Sequence, residues 1–231
     1  MHIYITGGTG RNGSLAISAA LDRGHTVTAL VRSPTSSTPP RPGLTLVTGS
    51  PLSQADVRRA LTTGPSPPSA VIFTLGLPRT STSPFAPLRP NTPADLLSRA
   101  ASTLLAAIDA IGGPAPKIVV NSTLGAGDSW AALAWPFKVL FSRTPMRFGV
   151  EDHDKVDKVV REGGRRFVLA RAGRLTEQKE EGAEPAPVRV LPDDGKGLGF
   201  MDALTRQSLA LWLVLAAEQD TWDGRSPVLV N

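Results

Sequence analysis

Apolar and polar positions along the chain switch between a period of two and a period of about 3.6, and the switches outline a β–α succession. His2 to Thr6 is a short β-rich run, and Gly7 to Gly13 is a glycine-rich turn. Ser14 to Arg23 then carries Leu15, Ile17, Ala19, Ala20 and Leu21 at helical spacing, with Gly24 where a helix-ending glycine belongs. His25 to Val31 reads as a second strand, so the first thirty residues form a βαβ unit. Leu44 to Thr48 predicts a third strand, and Ser53 to Thr63 a helix with Ser53 as its cap. Ala70 to Leu75 reads as a strand buried on both sides, as a parallel sheet covered by helices requires.

The succession continues to the C-terminus. Pro78 to Pro93 must be loop, and Ala94 to Ile111 is a long helix ended by Gly112-Gly113. Lys117 to Asn121 is another buried strand. A helix is expected around Trp130 to Phe141, and a polar one from Glu151 to Glu162, closed by Gly163-Gly164. Arg166 to Ala170 reads as a strand, and Leu175 to Gly199 as mostly loop around the short run Val188 to Leu191. Ala203 to Glu218 is a helix, and Val228 to Val230 a last strand. No repeat or linker divides this pattern, so the expectation is a single α/β domain over 1–231.

Composition narrows the chemistry. The 231 residues are 41% hydrophobic and 19% charged, enough to build a core and too apolar for wholesale disorder. Thirteen of the 21 prolines fall between Pro34 and Pro93, so the proline excess belongs to loops in one part of the fold. With no cysteine, disulfides, thiolate catalysis and iron–sulfur clusters are excluded, and His2, His25 and His153 are too scattered to suggest a metal site. The longest apolar run, Leu209 to Ala217, is less than half a membrane span, and Met1 leads straight into a strand. A cytoplasmic protein without a membrane partner is the expectation. The net charge of +5 rests on 19 arginines spread from Arg11 to Arg225. The densest group, Arg161, Arg165, Arg166, Arg171 and Arg174, encloses only one aromatic, Phe167, and no series of them that could stack bases, which argues against a nucleic-acid partner.

The glycine loop carries the strongest signal. Gly8-Thr9-Gly10-Arg11-Asn12-Gly13 fits G-x-G-x-x-G, and Gly7, Gly10 and Gly13 also fit G-x-x-G-x-x-G. Between a strand and a helix, such a loop lets the backbone and the helix N-terminus approach a pyrophosphate. About 20 residues on, an NAD-binding unit usually carries an acid for the ribose 2′-hydroxyl. Here the second strand ends in Val31-Arg32-Ser33 with no acid, and Arg32, with Arg11 as a second cation, suits the 2′-phosphate of NADP(H).

Taken together, these segments resemble the atypical short-chain dehydrogenase/reductases. The resemblance is carried by Thr6 to Gly13, Leu30-Val31-Arg32, Asn121-Ser122-Thr123-Leu124-Gly125-Ala126, Arg171 to Thr176, and Thr205 to Ala210. More narrowly, the chain is similar to the NmrA-like and flavin reductase (biliverdin reductase B) branch, over nearly its whole length. The resemblance implies a Rossmann-type, doubly wound, mainly parallel sheet with helices on both faces. The nicotinamide would lie beyond the ends of the first, fourth and fifth strands, with a substrate side built from about 122–150 and 172–200. It places Gly7, Thr9, Gly10, Arg11, Asn12, Gly13, Arg32, Ser50, Leu75 and Gly76 at the cofactor. Ser122 and Thr123 fall beside the nicotinamide, and His153 falls where that branch has a histidine. Arg174 replaces a second histidine, Ser50 an aspartate near the adenine, and Ala172 a proline.

One exclusion needs no family. The only tyrosine, Tyr4, lies in the first strand ahead of the glycine loop, so a Tyr-x-x-x-Lys proton donor is ruled out. A flat conjugated acceptor (flavin, quinone, tetrapyrrole or aromatic intermediate) tolerates that loss, because its π-system takes up the hydride. Ser122, Thr123, His153 and Arg174 are the candidate donors or polarising groups. His153 reads equally as a surface residue paired with the acids around it. The aromatics Trp130, Trp135, Phe137, Phe141 and Phe148 either wall a substrate or belong to a core. The expectation is an NADPH-dependent reductase of a small molecule, monomeric or homodimeric. An NADP-binding sensor without turnover, or an isomerase or cyclase on the same fold, remain the alternatives.

Overall fold

A computed structural model describes residues 1–33, 39–178 and 183–231. In chain order the elements are β1 (His2–Thr6), α1 (Arg11–Asp22), β2 (Thr26–Val31), β3 (Leu44–Thr48), α2 (Gln54–Thr62), β4 (Ala70–Phe73), α3 (Leu96–Ile111) and β5 (Lys117–Thr123). There follow α4 (Trp135–Arg143), α5 (Arg147–Glu162), β6 (Phe167–Ala172), β7 (Arg174–Thr176), β8 (Arg189–Leu191), β9 (Ala203–Thr205), α6 (Arg206–Glu218) and β10 (Val228–Val230).

Eight strands form one sheet in the order β3-β2-β1-β4-β5-β6-β10-β8. All pairings are parallel except β10 with β8, in which Val228 faces Leu191. The strands read as continuous apolar runs because helices bury both faces. Ile3, Ile5, Val27, Ala29, Val119 and Val168 pack on one face with Ala16, Ala20 and Leu213 of α1 and α6. Tyr4, Leu30, Val71, Phe73, Val120 and Leu169 pack on the other with residues of α2, α3 and α5. Strand order reverses between β1 and β4, the point at which such sheets leave an open crevice beyond their strand ends. This is the doubly wound Rossmann architecture.

Several boundaries differ from the sequence reading. β4 stops at Phe73, and the Thr74 amide and hydroxyl, both donating to the Thr6 carbonyl, make the last bonds between it and β1. A 3₁₀ turn, Gly127–Trp130, precedes α4, which starts only at Trp135 with Pro136 in its first turn. α5 begins one turn early, at Arg147, just beyond Pro145. The stretch expected to be loop contributes β7, and the expected start of the last helix is β9; they pair in parallel as a separate two-stranded sheet. Arg174–Thr176 and Ala203–Thr205 lack the unbroken apolar run that marks Val228–Val230, so only the tertiary pairing reveals them.

Candidate active site

The cofactor cradle is built where β1 gives way to α1. Gly7 has φ = 84°, and a Cβ there would lie 2.9 Å from the Thr74 carbonyl carbon, so the loop rests directly on the exit of β4. A Cβ on Gly13 would fall 2.1 Å from the Gly7 carbonyl oxygen. Gly13 therefore lets α1 pack closely onto the loop, as the third glycine of a G-x-G-x-x-G motif does, and the direct approach to a phosphate is left to Gly10. Gly10 has ordinary backbone angles, and its Cβ would meet only the Gly7 carbonyl, at 3.2 Å. It caps α1 without a side chain, and the first turn holds no acid. The amides of that turn are thus left for an anion, as a pyrophosphate requires.

The residues around this loop are arranged as follows. Thr9 and Gly10 are on the rim, and Leu75 and Gly76 follow Thr74 at the end of β4 beside Gly7. Arg32 is exposed immediately beyond β2. Ser50, past the end of β3, donates its amide to Asp56 Oδ2 (3.0 Å), so an aspartate from α2 reaches the segment where Ser50 itself replaces one. Arg11 is only loosely joined to Glu177 (3.7 Å). Asn12 accepts from Arg206 Nη1 at 2.5 Å, and the Arg206 Nε donates to Glu177 at 2.8 Å. Glu177 and Arg206 are neighbours of the loop that motif reasoning missed. The only signal for Arg206 was its place in the Thr205 to Ala210 segment.

The candidate reactive groups differ in burial and in the face of the sheet they occupy. Thr123 ends β5 and its hydroxyl donates to the Leu124 carbonyl (3.2 Å). Ser122 is buried and belongs to the α3–α5 face by strand alternation, whereas Thr123 belongs to the α1–α6 face. Arg174 is exposed at the start of β7. His153 is buried on α5, and the reading of it as a surface residue paired with acids is corrected. Burial pulls its pKa down to about 4, and its Nδ1 has no hydrogen-bond partner among the described residues. It is a neutral imidazole at pH 7. Tyr4 is 1% exposed, and burial raises its hydroxyl pKa, so it stays protonated inside the sheet.

A groove of about 820 Å³ runs along α5 and opens at Gly125, two residues beyond Thr123. Trp130 and Phe141 line it, and its floor is the buried ion pair of Arg171 with Asp157 (2.8 Å). No residue of the glycine loop lines this groove. The remaining aromatics fit neither sequence reading in full. Trp135 is 75% exposed, and no residue of α4 is buried.

Comparison with known proteins agrees with this geometry. Residues 7–220 match a family whose description is NAD(P)H-binding. Similar solved structures include a short-chain dehydrogenase/reductase from Veillonella parvula in complex with NADP (16% identity, TM-score 0.73, covering 100% of this chain and 94% of that one). ChuY, an anaerobillin reductase from Escherichia coli O157:H7, has 15% identity and a TM-score of 0.69, covering 100% of this chain and 97% of its own. A Streptococcus pneumoniae protein named for NADH-flavin reduction has 15% identity and a TM-score of 0.67, covering 100% and 99%. These likenesses carry the fold; the family match carries the cofactor class. With nearly its whole length accounted for by one family, the chain belongs to the NAD(P)H-binding proteins.

Proposed function

We propose that the protein is an NADPH-dependent reductase of a flat conjugated acceptor such as a flavin, a quinone or a tetrapyrrole. The observation that carries this reading is a dinucleotide cradle in a chain whose single tyrosine is locked in β1, 1% exposed. Without a tyrosine acid, an isolated carbonyl has no strong proton donor, whereas a conjugated acceptor delocalises the incoming charge. The cofactor, when bound, supplies the hydride. The first-turn amides of α1 hold its pyrophosphate, Gly7, Thr9 and Gly13 shape the loop, and Leu75 and Gly76 flank the path beyond β4. Arg32, at the end of β2 with no acid nearby in sequence, binds the 2′-phosphate.

On the substrate side, Thr123 orients the acceptor at the end of β5, and the exposed Arg174 guanidinium polarises it. Ser122 and the neutral His153 lie toward the α5 face, where His153 offers a hydrogen bond rather than an imidazolium proton at neutral pH. That two structural relatives are named for reducing an anaerobillin and a flavin supports the acceptor class. The test is NADPH oxidation followed with a panel of flavins, quinones and tetrapyrroles. Turnover on one class establishes the reading. Tight NADPH binding with no turnover on any of them replaces it with a redox sensor.

A further inference from the structure

We propose that α4, together with the segment around Phe200 and Met201, is a docking surface for an anionic lipid membrane. α4 has the sequence WPFKVLFSR, and none of its nine residues is buried. Trp135 is 75% exposed and Val139 50%. Phe200 and Met201 are 60% and 74% exposed, and the Phe200 ring stacks at 5.2 Å on that of Phe137, which joins the two segments into one apolar surface. The other large apolar side chains exposed among the described residues, Met1, Phe85 and Ile111, are scattered over other elements. Isolated exposed apolar residues are ordinary; a contiguous aromatic patch on an otherwise unburied helix marks an interaction face.

Charge selects the occupant. From Ala131 to Val150 the chain carries Lys138, Arg143 and Arg147 and not one acid, although acids number 20 in 231 residues overall. Asp202, beside Met201, is engaged by Arg189. Tryptophan, phenylalanine and flanking cations on a short helix are the composition that lies at a lipid headgroup boundary and is drawn to anionic lipid. A second copy of this chain fits less well. A two-fold contact would set α4 against itself and bring Lys138 and Arg143 toward their own mates, with no acid on the helix to pair with them. The sequence expectation of no membrane partner rested on the lack of a spanning segment, and among the described residues no helix is long and apolar enough to cross a membrane. Adsorption through a surface helix needs no span.

The patch adjoins the strand ends. Phe141 and Leu133 close over Gly125, where a Cβ would lie 3.3 Å and 3.1 Å from them. A membrane-bound α4 would hold the Thr123 end of the sheet near the lipid surface, whichever acceptor the protein reduces.

The experiment is sedimentation of the 231-residue chain with vesicles of phosphatidylcholine alone and of phosphatidylcholine mixed with phosphatidylglycerol, with tryptophan emission read in parallel. Expected is binding to the anionic vesicles only, with a blue shift, lost on adding salt. Trp135→Ser with Met201→Ser, and separately Lys138→Glu with Arg143→Glu, should each weaken it at least about tenfold. Because none of these side chains is buried, the variants should keep the wild-type circular dichroism and melting temperature. The proposal is overturned if wild type stays in the supernatant with both vesicles, or if folded variants bind as well as wild type. It is equally overturned if Trp135→Ser with Met201→Ser instead dissolves a dimer seen by sedimentation velocity in the absence of lipid.

Discussion

Asp152, in the second turn of α5, serves as the N-terminal cap of α3. Its Oδ2 accepts from the Leu97 amide at 2.7 Å, and its Oδ1 accepts from the Ser98 amide and hydroxyl at 3.1 and 2.6 Å. The residue that precedes α3 in sequence, Asp95, makes no side-chain capping bond. A carboxylate from a distant helix thus meets the positive end of α3, and with 0% exposure it locks the two helices together. Asp152→Ala leaves the Leu97 and Ser98 amides buried without that acceptor, while the Ser98 hydroxyl keeps the Asp95 carbonyl at 3.2 Å. It should cost about 2–4 kcal/mol of unfolding free energy, read from denaturant titration, with NADPH affinity unchanged in the folded fraction. A loss below about 0.5 kcal/mol would mean that the cap contributes nothing measurable.

His153, the next residue, makes stability depend on pH. Its folded pKa is near 4, below the unfolded value near 6.5, so the unfolded chain binds the proton first as pH falls. Its contribution is constant above pH 6.5 and is lost progressively between about pH 6.5 and 4, up to about 3 kcal/mol. His153→Gln should flatten the stability profile across that window. An equally steep loss in the variant would assign the acid sensitivity to other groups.

Gly10 and Gly13 should respond differently. Any side chain at Gly13 meets the Gly7 carbonyl, so Gly13→Val should lose cofactor binding together with several degrees of melting temperature. Gly10→Ala has room apart from one 3.2 Å approach. It should melt within a few degrees of wild type yet bind NADPH about tenfold more weakly, because its methyl crowds the anion. Isothermal titration of the folded Gly10→Ala protein decides it, and unchanged affinity would move the pyrophosphate elsewhere.

Arg32→Asp should weaken NADPH binding at least about tenfold while NADH binding holds or improves, since one charge-assisted contact is worth about 1.5–3 kcal/mol. Raising salt should narrow the wild-type preference for NADPH. Equal wild-type affinities for the two cofactors would make Arg32 an ordinary surface charge.

On the substrate side, Thr123→Val or Arg174→Ala should lower kcat by one to three decades, about 1.4–4 kcal/mol of transition-state stabilisation. Tyr4→Phe should leave it unchanged, because the hydroxyl is sealed within the sheet. A folded Tyr4→Phe enzyme that has lost turnover would relocate the active site.

The linear chain by itself determined the β–α order, the glycine loop and the missing tyrosine acid, because periodicity, turn glycines and residue identity are local properties. HIYIT followed by GGTGRNG and a helical stripe is legible without coordinates. Only the tertiary structure decided what depends on partners far away in the chain. It sent Asp152 to α3, buried His153 rather than leaving it among its neighbouring acids, and paired Arg174–Thr176 with Ala203–Thr205. It also joined Arg206 to Asn12 across 194 residues and set Gly13 against the Gly7 carbonyl. The apolar stripe of α4 looked like core or pocket wall from its composition. Whether an apolar helix is covered is settled by what the fold places opposite it, and this fold leaves Trp135 and Val139 exposed.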